Sequence, residues 1–177
     1  LIPQLDDTLK GGKWDPRKGN DVFGKTVGIA GLGRIGQGVA RRAAAFSMQI
    51  LGYDPYVDAT AMAAMGVRKV ELDDLLGRSD FITLHMPAND ETTGMIDARA
   101  IELMRPSAFV INTARGPLID ELALLAALKS GRIAGAGLDV FIDEPMEASP
   151  FFELDNAIVS PHIAGNTAES MARMAER

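Results

Sequence analysis

The sequence predicts an α/β fold of the doubly wound type, in which helices cover both faces of a parallel sheet. Short apolar runs alternate with helical patterns along most of the 177 residues, and 47% of the residues are hydrophobic. No apolar run reaches the roughly 18 residues that would cross a bilayer. Apolar strands separated by helices predict parallel pairing, because a crossover between parallel strands needs a helix to carry the chain back.

The first residues are interpreted as a polar arm that precedes the folded domain. Glycine and proline, which break regular structure, occur four times within a few residues of one another. They are Gly11, Gly12, Pro16 and Gly19. We therefore expect residues 1–22 to be a linker and residues 23–167 to form the domain.

The first half of the domain alternates strand and helix candidates. Residues 26–31, "TVGIAG", form a short apolar run that ends in glycine, and residues 34–46 are alanine-rich with apolar side chains at helical spacing. The apolar run "QILGYD", residues 49–54, is the next strand candidate. Further candidates are a helix at 59–65, a short strand at 67–70 and a helix at 71–78.

The second half repeats this alternation. The runs "DFITLHM", residues 80–86, and "AFVINTA", residues 108–114, are strand candidates on either side of a predicted helix at 98–104. The stretch "DELALLAALKSG", residues 120–131, predicts a helix that stops at a glycine. The last candidates are strands at 134–141 and 157–160 and a helix at 166–177.

Composition excludes several functions. The chain has no cysteine, which excludes disulfides, thiolate zinc sites and cysteine nucleophiles. A formal charge of −6 without a basic cluster argues against nucleic acid as a partner. With two histidines and no carboxylate cluster we expect no metal, and we expect a cytoplasmic protein that does not enter membranes. The chain starts at leucine and ends within a predicted helix, so we expect a piece of a longer protein.

A glycine-rich turn follows the first predicted strand. "GLGRIG" places Gly31, Gly33 and Gly36 in the G-x-G-x-x-G spacing of Rossmann-type dinucleotide-binding domains. There the first glycine makes the turn, the second lets the backbone approach a diphosphate, and the third lets helix and strand pack closely. Glycines also serve turns for conformational reasons alone. Arg34, inside the turn, is either an exposed helix residue or a contact of the diphosphate.

The residue after the second predicted strand points to the identity of the dinucleotide. Asp54 lies 18 residues beyond Gly36, about where a carboxylate accepts hydrogen bonds from the adenosine ribose. An acid there repels a 2′-phosphate and so predicts NAD rather than NADP. The competing interpretation is an ordinary turn aspartate before Pro55.

Three polar residues follow the last three predicted strands. They are Arg115, Glu144 and His162. Ligands of open parallel sheets bind beyond the carboxyl ends of the strands. An arginine is suited to a substrate carboxylate, a histidine to moving the hydroxyl proton during hydride transfer, and a glutamate beside it to orienting the ring and favouring the imidazolium.

Each of these residues also has a structural interpretation. Arg115 precedes a Gly-Pro pair and would suit a surface loop, Glu144 would suit a turn before Pro145, and a lone histidine after a proline is more often structural. His85, at the end of the run at residues 80–86, is the rival acid/base candidate. It ranks below His162, and its loop is better explained as a wall of the cofactor pocket.

Four separated segments resemble one known family. "GKTVGIAGLGRIGQGVARRAAAF", "INTARGPLIDELALLAAL", "GAGLDVFIDEP" and "SPHIAGNT" occur in the order and spacing of the D-isomer-specific 2-hydroxyacid dehydrogenases. The resemblance runs from residue 23 to 167. It implies hydride transfer between NAD and the 2-carbon of a D-2-hydroxy or 2-keto acid, with Arg115 as catalytic arginine, Glu144 as the polarising glutamate and His162 as acid/base. Formate dehydrogenases, which are similar, carry glutamine at the position of Glu144.

The resemblance also implies a set of cofactor contacts. Arg34 and Ile35 would lie at the diphosphate, Asp54 at the ribose and Met86 with Pro87 at the cofactor through backbone atoms. Around the nicotinamide, the implied residues are Thr113, Ala114, Asp139, Ala164 and Gly165, in addition to Arg115 and His162.

The family carries a second, flavodoxin-like substrate domain that is missing from this chain, with residues 168–177 as the start of a helix returning to it. The resemblance therefore implies that this chain alone binds NAD weakly and is inactive, and that the protein is a homodimer. Two alternatives stay open at this point: an NAD(H)-sensing corepressor of the same fold, and another NAD-dependent enzyme that shares only the fold.

Overall fold

A computed structural model of the protein describes residues 2–176, so Leu1 and Arg177, the outermost residues of the predicted arm and of the last predicted helix, lie outside the described part. The sheet has seven strands in the order β3-β2-β1-β4-β5-β6-β7, and every neighbouring pair is parallel. The predicted doubly wound α/β class is confirmed. No helix within residues 2–176 combines the length and the hydropathy needed to cross a membrane.

The strands and helices alternate along the chain after an initial helix. The strands are β1 Thr26–Ala30, β2 Gln49–Tyr53, β3 Arg68–Lys69, β4 Phe81–Leu84, β5 Phe109–Asn112, β6 Gly135–Leu138 and β7 Ala157–Val159. The helices are α1 Ile2–Lys10, α2 Arg34–Ala45, α3 Ala59–Ala64, α4 Leu72–Arg78, α5 Ala98–Leu103, α6 Glu121–Ser130 and α7 Ala168–Ala175. Short 3₁₀ turns occupy Gly116–Leu118 and Pro150–Glu153.

The prediction of a loop-like arm is wrong for its first part, because α1 is helical from Ile2–Lys10. All four breakers that suggested a loop follow residue 10, and Pro3 lies in the first turn, where a missing N–H costs nothing. The helix buries none of its residues, although its apolar side chains Ile2, Leu5 and Leu9 recur at helical spacing. Its contacts include an ion pair between Asp6 and Lys10 at 2.5 Å and a long-range hydrogen bond from Gln4 Nε2 to the carbonyl of Asp155 at 2.6 Å.

Apolar clusters cover both faces of the sheet. The larger cluster includes Leu75, Ile82 and Val110, and the smaller one lies around Ile29, Ile50 and Met62. Strand β1 is buried along four of its five residues, as expected for a central parallel strand with helices on both sides.

The strand order sets where a ligand can bind. Strand β1 has β2 on one side and β4 on the other, so the connections from β1 and β4 leave in opposite directions and open a crevice at their carboxyl ends. Because all seven strands are parallel, the residues after β1, β2, β4, β5, β6 and β7 emerge at this same edge.

Candidate active site

Gly31 makes the turn after β1 against the end of β4. Its φ of +94° lies in a region that side chains rarely adopt, and a Cβ would stand 2.6 Å from the carbonyl oxygen of His85. The N–H of Gly31 donates to the carbonyl of Tyr53 at 2.9 Å. The turn is therefore held tightly between β2 and β4.

Gly36 and Gly33 differ in what surrounds them. A Cβ on Gly36 would lie 2.0 Å from the carbonyl oxygen of Gly31, whereas a Cβ on Gly33 would meet nothing within 4 Å. Gly36 thus permits the close approach of α2 to the turn, and Gly33 leaves open space at the helix N-terminus.

The N-terminus of α2 fits a diphosphate. Gly33 is the N-cap and offers no side-chain hydrogen bond to the first turn, so these N–H groups are available to an anion that the helix dipole attracts. Arg34 and Ile35 are exposed beside this open space. Contacts of Arg34 and Ile35 with a diphosphate stay a prediction of the family resemblance.

Asp54 is the first residue after β2 and connects the turn to the next loop. One carboxylate oxygen accepts the N–H of Leu32 at 2.8 Å, and the other accepts the N–H of Tyr56 at 2.9 Å. The side chain is half-buried beside the crevice. Each oxygen keeps a further lone pair for a ligand hydroxyl.

The residues after β4 form the opposite wall. The backbone of His85 and Met86 packs against Gly31, and Pro87 follows with an exposed side chain. Nε2 of His85 lies 2.9 Å from Oγ1 of Thr83, and burial lowers the pKa of His85. A ring engaged in this way and neutral at physiological pH is less suited to acid/base work than one exposed in a cavity.

Asn112 shapes the loop after β5. This buried side chain accepts the N–H of Ala114 at 3.0 Å and donates to the carbonyl of Arg115 at 2.8 Å. Thr113 and Arg115 consequently project from the turn with exposed side chains. Within residues 2–176 the Arg115 guanidinium forms no ion pair, and its Nη1 donates to the carbonyl of Ala114 at 2.6 Å.

Asp139 organises the segment after β7. It is 3% exposed and accepts hydrogen bonds from Ser160 Oγ at 2.5 Å, from the Ile163 N–H at 2.9 Å and from the Ala164 N–H at 2.8 Å. Burial would raise the pKa of Asp139, but these hydrogen bonds outweigh burial, and the pKa lies below its usual value. The carboxylate therefore fixes Ala164, and Gly165 follows with open space around it.

His162 and Glu144 form a close pair. His162 Nδ1 lies 2.7 Å from Glu144 Oε2, while Glu144 Oε1 accepts the N–H of Phe141 at 2.8 Å. The hydrogen bond with His162 and the one from Phe141 lower the pKa of Glu144, so the carboxylate is ionised at neutral pH. An ionised acceptor favours the proton on Nδ1, which leaves Nε2 as the atom that can exchange a proton.

The loops after β5 and β6 are in direct contact. A Cβ on Gly116 would lie 2.0 Å from the carbonyl carbon of Phe141, so only glycine permits this approach. In addition, Glu121 Oε1 accepts the N–H of Ile142 at 2.8 Å. The segment that carries Arg115 is thereby packed against the segment that carries Glu144.

A cavity of about 550 Å³ lies beside the His162–Glu144 pair. Its remaining lining is largely apolar and comprises Phe141, Pro145, Met146, Phe152, Val159, Ser160 and Pro161. Arg115 does not line it. The structure thus brings His162 and Glu144 together in one cavity and places Arg115 at the end of β5, in the loop packed against the one after β6.

Sequence reasoning missed several residues that position this site. Asn112, Ser160 and Gly116 support the three candidate residues through backbone and side-chain contacts. The one local signal was a polar asparagine at the end of an otherwise apolar strand run. The contacts of Ser160 and Gly116 join distant segments and leave no such signal.

Comparison with known proteins shows which family the chain resembles. The family model described as D-isomer specific 2-hydroxyacid dehydrogenase, NAD binding domain, matches residues 1–164. The D-3-phosphoglycerate dehydrogenase of Mycobacterium tuberculosis is 47% identical over 174 residues, which cover 97% of this chain and 33% of that protein.

Two solved structures of similar fold are each 35% identical to this chain. The D-lactate dehydrogenase of Aquifex aeolicus, complexed with NAD and lactic acid, has a TM-score of 0.90 at 35% identity, covering 99% of this chain and 58% of that one. An acyclic imino acid reductase in complex with NADPH and D-Arg has a TM-score of 0.88 at 35% identity, with 97% of this chain and 55% of that one covered.

The chain spans about a third of the length of the curated relatives it matches. Within that span the family match is nearly continuous, because it extends from residue 1 to residue 164 of 177. The chain therefore belongs to the D-isomer specific 2-hydroxyacid dehydrogenase family and contains its NAD-binding domain.

Proposed function

We propose that this domain belongs to an NAD-dependent D-2-hydroxyacid dehydrogenase, which transfers hydride between the nicotinamide and the 2-carbon of a 2-hydroxy or 2-keto acid. The observation that carries the proposal is the His162–Glu144 pair, 2.7 Å apart, at the sheet edge that also carries the glycine-rich turn. Hydride transfer to or from an alcohol carbon needs a proton acceptor or donor beside the cofactor site, and this pair supplies one.

His162, Glu144 and Arg115 have different roles in the proposed hydride transfer. Bound NAD supplies the hydride acceptor. In the oxidation, His162 Nε2 accepts the hydroxyl proton, and the ionised Glu144 stabilises the imidazolium through Nδ1; in the reduction His162 returns the proton. The Arg115 guanidinium binds the substrate carboxylate through two parallel N–H donors.

The cofactor preference follows from Asp54. Its carboxylate lies beside the turn that suits the diphosphate, where it can accept the ribose hydroxyls and repel a 2′-phosphate. We propose NAD rather than NADP for this reason. Contacts of Met86, Pro87, Thr113, Ala114, Asp139, Ala164 and Gly165 with the cofactor are part of the same proposal.

The substrate pocket is proposed to need a second domain. The curated relatives are about three times as long as this chain, and the His162 side chain is 53% exposed. We propose that residues 1–22 and 168–177 lead to a substrate-binding domain, that the 177 residues alone bind NAD weakly and are inactive, and that the full-length protein is a cytoplasmic homodimer.

The decisive experiment is a panel of 2-keto acids, including glyoxylate, hydroxypyruvate and phosphohydroxypyruvate, offered to the full-length protein with NADH while absorbance is followed. Turnover of at least one acid, lost in His162→Asn and retained in the control Asp143→Asn, supports the proposal. Turnover that survives both His162→Asn and Arg115→Ala would point to a different NAD-dependent enzyme. The relatives reported above are enzymes, and nothing among them favours the corepressor alternative.

A further inference from the structure

Two loops face each other across the glycine-rich turn. Because β1 lies between β2 and β4, the loop after β2 and the loop after β4 flank the turn on opposite sides. Tyr56 belongs to the first loop and Glu91 to the second. The Tyr56 hydroxyl donates to Glu91 Oε2 at 3.1 Å, although the two residues are 35 positions apart.

Asp54, on the side of the crevice proposed to bind the cofactor, holds the backbone of Tyr56. Its N–H donates to Asp54 Oδ1 at 2.9 Å, and the other oxygen of Asp54 accepts the N–H of Leu32 in the glycine-rich turn at 2.8 Å. Asp54 therefore connects the turn to Tyr56, and Tyr56 connects both to the opposite wall.

Glu91 is positioned from its own side by a hydrogen-bonded turn. Asn89 Oδ1 accepts the N–H groups of Glu91 and Thr92, both at 3.0 Å. Oγ1 of Thr92 in turn donates to the carbonyl of Pro87 at 2.7 Å. A surface glutamate without such contacts would be free to swing into solvent, whereas Glu91 is held at both its backbone and its carboxylate.

We propose that Glu91, held in place by Tyr56, is a second carboxylate that selects NAD over NADP, acting with Asp54 from the opposite wall of the crevice. This inference rests on the NAD preference proposed above and adds a residue to it. A 2′-phosphate bound near Asp54 meets negative charge from both sides. Positive charge is also present at this end, because Arg34 is exposed at the glycine-rich turn and the Lys69 ammonium donates to the carbonyl of Val57 at 2.6 Å; the proposed role of the two carboxylates is to oppose it.

Two substitutions separate the effect of the Glu91 charge from the effect of its hydrogen bond with Tyr56. Glu91→Gln removes the charge and keeps an oxygen that accepts from Tyr56, while Tyr56→Phe keeps the charge and the ring and removes the hydroxyl. Glu153→Gln is the matched control, because it removes one exposed carboxylate from the segment before β7, at the far edge of the sheet. The readout is the Kd of NADH and of NADPH, measured by nucleotide fluorescence with the full-length protein at low ionic strength.

In Glu91→Gln we expect the ratio of the NADPH Kd to the NADH Kd to fall about threefold to tenfold, since water and salt screen charges of this kind. The change should come from tighter NADPH binding and should shrink at high salt. Tyr56→Phe should lower the ratio by less, because the released carboxylate moves towards solvent. Glu153→Gln should leave the ratio unchanged.

The outcomes distinguish this inference from the proposed preference. If the unsubstituted protein binds NADPH as tightly as NADH, the NAD preference itself fails, and the role of Glu91 fails with it. If the unsubstituted protein discriminates but Glu91→Gln keeps the same ratio, or weakens both nucleotides equally, the preference stands and the role of Glu91 is overturned. If the ratio of the NADPH Kd to the NADH Kd fell equally in Glu153→Gln, the effect would come from net charge. The role of Glu91 would then be overturned as well.

Discussion

His162 Nδ1 lies 2.7 Å from Glu144 Oε2 on a backbone whose φ is 53° at the histidine. A positive φ is uncommon for a residue other than glycine. It is sustained here by the His162 N–H, which donates to the carbonyl of Asp139 at 2.8 Å. The contacts of Asp139 therefore hold the ring against the carboxylate.

Glu144→Gln should lower kcat of the full-length protein at neutral pH by roughly 10²-fold to 10⁴-fold, because an amide cannot stabilise the imidazolium and can favour the wrong tautomer. The pKa of Glu144 is lowered by its hydrogen bond with His162 and by that from Phe141. In the unsubstituted protein the carboxylate thus stays ionised as the pH falls, until the pH passes that lowered pKa. Profiles of kcat against pH check this, with Asp143→Asn as control. Equal kcat values for Glu144→Gln and the control would contradict the assignment.

Arg115→Lys should raise KM for the 2-keto acid by about tenfold to a hundredfold, which corresponds to about 1.5–3 kcal/mol for charge-assisted hydrogen bonds. The ammonium keeps the charge but loses the planar pair of donors. The NADH Kd should change by less than the KM, because Arg115 is one of several residues expected around the nicotinamide. Steady-state kinetics and nucleotide binding check this. Arg99→Lys, in an exposed pair with Asp73, serves as control. An unchanged KM would show that Arg115 does not bind the substrate carboxylate.

Gly36→Ala should lower the stability of the domain, whereas Gly33→Ala should weaken NADH binding. A Cβ on Gly36 would lie 2.0 Å from the backbone oxygen of Gly31, so α2 must shift, and we expect the free energy of unfolding to fall by about 1–3 kcal/mol. Gly33 has φ −69° and open space, so its substitution should change stability by less than about 0.5 kcal/mol.

The methyl group of Gly33→Ala would instead occupy the approach of a diphosphate, and the NADH Kd should rise by about tenfold or more. Urea unfolding and nucleotide titration of both variants separate the two effects. Normal NADH affinity in Gly33→Ala would argue that the diphosphate lies elsewhere.

Asp139→Asn should destabilise the domain by about 1–3 kcal/mol at neutral pH, because an amide leaves at least one of the three donors to Asp139 unpaired. The pKa of Asp139 is lowered in the folded state by those hydrogen bonds despite its burial. The stability that it contributes is therefore complete above its unfolded pKa and is lost as the pH falls through the lowered folded value.

The difference in unfolding free energy between Asp139→Asn and the unsubstituted protein should accordingly shrink as the solution is acidified. Urea unfolding at a series of pH values measures it. A difference that stays constant down to about pH 3, below the usual aspartate pKa, would show that the charge of Asp139 is not what stabilises the loop.

Local sequence patterns predicted most of the strands and helices. The seven strands and the helices from α2 to α7 were predicted to within a few residues, since apolar periodicity and terminal glycines act over short stretches. The predicted helix at residues 34–46, for example, is α2 Arg34–Ala45. Helix α1 was missed although Ile2, Leu5 and Leu9 recur at helical spacing, because the interpretation of the arm as a loop rested on the glycines and the proline that follow residue 10.

Neighbours along the chain are enough to predict the doubly wound sheet, the glycine-rich turn and the polar residues after β5, β6 and β7. Three contacts appear only in the folded protein: Glu144 with His162, Asp139 with the N–H groups of Ile163 and Ala164, and Tyr56 with Glu91. Those pairs are 18 or more positions apart. Hydrogen bonds of that kind exist only once the parallel strands have brought their carboxyl ends to one edge, and residue spacing alone does not specify which side chains then meet.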